Sequence, residues 1–104
     1  MDVALLYFEG CPNHREAEAQ LDRLLDELGW VGSVSTVDVD TTETAEALGF
    51  RGSPTILING VDPFADPEAP VGLTCRIYAT ERGLQGVPPT DELRSHLRHA
   101  LEST

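Results

Sequence analysis

No lysine occurs in these 104 residues; the seven basic side chains are all arginine, against 18 acidic ones, for a formal net charge of -11. A chain of that sign, with no basic patch, repels phosphate backbones and anionic headgroups, which excludes nucleic acid and membrane surfaces as partners. Long apolar runs are also missing. The run Val3-Ala4-Leu5-Leu6-Tyr7-Phe8 is too short for a membrane span or a signal-peptide core, and no basic residue precedes it. A soluble, cytoplasmic protein is therefore expected. No internal repeat, low-complexity tract or nucleotide, flavin or pyridine-cofactor motif is present, so no cofactor is assigned. The two cysteines point to catalysis, redox sensing or metal binding rather than to a structural staple, although a lone pair does not exclude a disulfide. The length suits one domain over residues 1–104, with a modest core.

What the chain does contain is a thiol at a strand-to-helix junction. Cys11-Pro12-Asn13-His14 follows the apolar run directly and precedes a helical pattern, with Ala17, Leu21, Leu24, Leu25 and Leu28 on one face up to Gly29. Pro12 suits the first helical position, where its missing N–H is not needed. Unsatisfied N–H groups and the positive end of the helix dipole favour the thiolate, the form that attacks disulfides. Position makes Cys11 a candidate nucleophile, while Glu9, Glu16 and Glu18 oppose its ionisation. His14, one turn further on, could act as a base, as an imidazolium beside the sulfur or as a metal ligand; otherwise it is a solvated surface histidine.

Apolar at every position, Val3–Phe8 suits the middle strand of a sheet covered on both faces. A second strand is expected over about Val34 to Val39. Asp40-Thr41-Thr42-Glu43, with Asp40 at the cap, opens a short helix ending at Gly49. Asn59-Gly60 between two β-prone runs predicts a hairpin joining a third strand to an edge strand, Val61 to Phe64. Residues 65–89 are mostly loop, with an ordered patch at Leu73–Tyr78, and a last helix starts near Thr90.

This β-α-β-α-β-β-α order, the cysteine at the first strand-to-helix junction and the Ser53-Pro54-Thr55 step together resemble the thioredoxin-like superfamily. The resemblance covers about residues 3–64 and the last helix, and implies an α/β fold with a four-stranded mixed sheet flanked by helices. It also implies a cis Pro54 lying against Cys11, with Pro12, Ser53, Pro54 and Thr55 binding substrate. His14 stands where that family usually has a second cysteine; a small group of bacterial thioredoxin-like proteins with a Cys-Pro-x-His start and a later Cys-Arg-x-Tyr element is similar. Here that later element is Cys75-Arg76-Ile77-Tyr78.

Whether Cys75 reaches Cys11 depends on the chain path. A strand two places away lies ~9.6 Å off, beyond the ~7 Å Cα separation a disulfide tolerates, but a loop can close the gap. Cys75 is then either a resolving thiol or a packed residue. The expected function is a thiol-disulfide oxidoreductase with Cys11 as nucleophile, Cys75 or an external thiol as resolving group, and His14 tuning Cys11. Its partners would be a protein or small-molecule disulfide and a thiol reductant. The alternatives are a soft-metal-binding protein using Cys11, His14 and Cys75, although no fourth ligand is evident, and a module without chemistry.

Overall fold

The computed structural model describes residues 1–103. The elements are β1 (Val3–Tyr7), α1 (Asn13–Glu27), β2 (Val34–Asp38), α2 (Thr42–Leu48), β3 (Thr55–Ile58), β4 (Tyr78–Thr80), β5 (Gly83–Gln85) and α3 (Thr90–Glu102). The class is α/β, but the expected four-stranded sheet does not form. Instead a three-stranded mixed sheet of order β2-β1-β3 stands beside a separate two-stranded hairpin, β4-β5.

β1 is central, parallel to β2 and antiparallel to β3. Its alternating side chains serve two cores. Val3 and Leu5, with Ile56 and Ile58 of β3, pack beneath Leu21, Leu24 and Leu25 of α1 and Leu93 and Leu97 of α3. On the opposite face Leu6 joins Val39, Ala45 of α2 and Phe50 in a smaller cluster. This period of two reconciles the unbroken apolar run with both layers.

The missing strand has a local cause. Asn59 and Gly60 adopt φ 53° and 79°, as a tight hairpin turn requires, and Ile58 and Val61 exchange two backbone hydrogen bonds of 2.8 and 3.1 Å. Pairing then stops. The Asp62 carboxylate accepts from the Phe64 N–H at 2.9 Å, and the Asp62 carbonyl accepts from Ala65 N–H at 3.2 Å, closing a turn around Pro63, which has no N–H to donate. The hairpin signal marked a real turn but not a full strand.

Two smaller corrections concern caps. Pro12 is the N-cap residue of α1, just before the helix, with φ -74° and ψ -10°. For α2 the cap is Thr41 rather than Asp40; its Oγ1 accepts from Thr44 N–H at 3.1 Å. Gly29, at φ 73°, ends α1 as anticipated: Trp30 N–H donates to Leu25 O at 3.0 Å and Gly29 N–H to Asp26 O at 3.1 Å. The start of α3 is fastened to α1 by Gln20, whose Nε2 donates to Pro88 O at 2.8 Å and to Thr90 Oγ1 at 3.0 Å. No helix among the described residues is long and apolar enough to cross a membrane.

Candidate functional site

Antiparallel pairing brings the start of β3 to the end of β1, so the 52–55 step lies against the Phe8–His14 junction. Cys11 is fully buried there, and its Sγ lies 3.6 Å from the Ser53 carbonyl oxygen. The Ser53–Pro54 peptide bond is cis, the isomer implied by the resemblance. Ser53, Pro54 and Thr55 are buried, whereas Pro12 is exposed next to the buried cysteine.

The chain closes the gap between the cysteines with a loop. Cys75 is disulfide-bonded to Cys11 across 64 residues, with a Cα separation of 5.6 Å. Cys75 is exposed although Cys11 is not. Its neighbours run parallel to the 52–54 segment: Ser53 N–H donates to Thr74 O at 2.7 Å, and Arg76 N–H donates to Ser53 O at 2.8 Å. Both backbone groups of Ser53 are therefore occupied by the residues flanking Cys75. The Ser53 hydroxyl is buried without a hydrogen-bond partner among the described residues.

Beyond the disulfide the loop is held by Arg76, whose side chain is only 9% exposed. Its guanidinium donates to Asp62 Oδ2 at 2.6 Å and to Thr55 Oγ1 at 3.3 Å, and also to the Phe64 carbonyl. It lies over the Tyr78 ring, 4.6 Å from the centroid. Gly52 makes this approach possible. A Cβ there would stand 2.9 Å from Arg76 Cβ, and its φ of 124° is one that side-chain-bearing residues rarely adopt. Tyr78 completes the enclosure by donating its O–H to Pro54 O at 2.6 Å. Burial raises the Tyr78 hydroxyl pKa well above its ordinary value, against the opposing effect of the Arg76 charge.

His14 does not have the exposed surroundings of a solvated histidine. It is buried and stacked on Tyr7, with centroids 4.5 Å apart and planes at 29°. The Tyr7 hydroxyl is itself shifted upward by desolvation, then by the carboxylates of Asp38, Glu9 and Glu18. Among the described residues no group of three or more His, Cys, Asp or Glu side chains is placed to hold a metal ion.

Asp62, Gly52 and the Phe64 carbonyl were not singled out from the sequence. The signal available for Gly52 was its place ahead of Ser-Pro. Nothing local marks Asp62, whose partner lies 14 residues away across a loop. Together, fold and site define an α/β protein with a disulfide between the first strand-to-helix junction and a clamped loop. Comparisons with protein-family models, with curated proteins and with solved structures found no match.

Proposed function

We propose that this chain is a thioredoxin-like thiol-disulfide oxidoreductase whose working couple is Cys11 and Cys75. The observation that carries this reading is the Cys11–Cys75 disulfide, formed at a helix start between a buried and an exposed cysteine. In the reduced protein the Cys11 thiolate attacks a substrate disulfide, forming a Cys11–substrate bond and releasing one substrate thiolate. Cys75 then attacks Cys11 Sγ, restores the internal disulfide and releases the second substrate thiol. Two electrons and two protons pass to the substrate, and two equivalents of a thiol reductant return them. From solvent such a reductant meets the exposed Cys75 side first, and attack there expels Cys11 as the leaving thiolate. Cytoplasmic placement belongs to the same proposal: in a reducing compartment a disulfide of this kind cycles rather than staples.

The test is intact-mass analysis with thiol alkylation, before and after mild oxidation with a small disulfide, on the wild type and on Cys11→Ser and Cys75→Ser. The expected result is reversible loss of two protons in the wild-type monomer and in neither variant. Two thiols that stay alkylatable after oxidation overturn the couple.

A further inference from the structure

The segment bound to Cys11 has the geometry of a ligand strand. Thr74 supplies a carbonyl to Ser53 N–H, Cys75 supplies the sulfur, and Arg76 supplies an N–H to Ser53 O. One residue past the cysteine, the Arg76 guanidinium enters a receptor built by other parts of the chain, the Asp62 carboxylate, Thr55 Oγ1 and the Phe64 carbonyl, while its Cβ and backbone lie against Gly52. An ion pair with side-chain exposures of 9% and 18% has lost much of its hydration, and a two-nitrogen fork discriminates arginine from other residues. Thr74 and Cys75 are exposed, as are most residues from 65 to 71, and the apolar anchors of this strand are its neighbours Leu73 and Tyr78 rather than its own side chains.

We infer that Thr74–Arg76 occupies the protein's own substrate groove, and that the groove selects a disulfide-bearing peptide with arginine immediately after its cysteine. The inference rests on the oxidoreductase reading, because the peptide must reach Cys11. The bound peptide runs parallel to residues 52–54 and replaces the chain's own strand on the two Ser53 backbone groups and in the Asp62 receptor. Cys11 thiolate attacks the peptide's sulfur, a Cys11–peptide bond forms, and the peptide's former sulfur partner leaves as thiolate with the bonding pair.

The test uses the full chain as Cys75→Ser/Arg76→Ala, which leaves one thiol and empties the receptor, with Cys75→Ser/Arg76→Gln keeping more of the stem volume should the alanine form not fold. Two peptides of one composition, Ala-Thr-Cys-Arg-Ile and Ala-Arg-Cys-Thr-Ile, are each activated as the nitrothiobenzoate mixed disulfide. Release of the coloured thiolate gives the rate at Cys11. The Thr-Cys-Arg order should react about tenfold faster, the size expected for a charge-assisted bidentate contact. Adding Asp62→Asn should bring the two rates within about twofold. Equal charge on the peptides removes general attraction to an acidic protein from the comparison. Equal rates before the Asp62 change, or a preference that survives it, overturn the receptor while leaving the oxidoreductase reading intact. Failure of Cys11 to react with either peptide, or with the parent aromatic disulfide, overturns both.

Discussion

Two regions of this molecule, the α1/α3 core and the disulfide-bonded loop, are held by different physics. Beneath α1 and α3, aliphatic side chains with almost no exposure interlock, and no charge takes part: Leu5, Leu21, Ile56, Leu93 and Leu97 are all fully buried. Around the disulfide-bonded loop the fastenings are one covalent bond, a nearly buried Arg76–Asp62 pair and a tyrosine hydroxyl on the Pro54 carbonyl. Hydrophobic burial is insensitive to redox state, whereas the loop's strongest tie can be cut by two electrons. An apolar core and a covalently fastened loop thus coexist in a small chain.

Breaking the scaffold should have the largest effect. Leu21→Ala leaves a cavity in the dry core and should cost about 2–5 kcal/mol in urea unfolding, equally in the oxidised and reduced protein. A cost confined to one redox state would erase the distinction between the two regions. Next comes the disulfide: it spans 64 residues, and its reduction should lower stability by about 2–4 kcal/mol, measured by the same unfolding in excess reductant.

Asp62→Asn should cost about 1.5–3 kcal/mol in the oxidised protein and make Cys11–Cys75 easier to reduce, because Arg76 holds the strand that presents Cys75. Equilibration with a glutathione buffer reads the second effect, and an unchanged midpoint would sever the clamp from the redox couple.

The smallest effect is expected of Tyr78→Phe, about 1 kcal/mol near neutrality from the lost bond to Pro54 O. Its pH dependence sharpens the picture. Because burial raises the Tyr78 pKa, the folded protein keeps a proton that an unfolded tyrosine loses near pH 10. That contribution is complete below about pH 10 and falls as pH rises further. Between about pH 8 and about pH 11, without free thiol, the variant should lose less stability than the wild type. Parallel losses would contradict the buried-hydroxyl assignment.

Most of the α/β alternation was legible because helices and strands repeat their apolar positions over short distances. α1, α2 and α3 follow from leucine and alanine spacing, and Gly29 and Gly49 mark ends through positive φ. Val61–Phe64 was misjudged for a reason outside that pattern. β-prone residues flank Asn59-Gly60, but the Asp62 side chain turns the backbone at Pro63 and also serves Arg76. The β4-β5 hairpin was hidden by its length, three residues per strand, within a stretch punctuated by glycine and proline. His14 was ambiguous because a turn of helix sets its direction but not its neighbour, which proved to be Tyr7.

Local chemistry in the chain was enough to establish an α/β layout, a thiol at a helix start and an acidic surface, since each depends on residues close in sequence or on simple counts. The partner of that thiol and the arginine receptor depended on folding. Each joins groups from separate segments, and whether such groups meet is set by loop closure and angstrom-scale side-chain geometry, which no short-range pattern encodes.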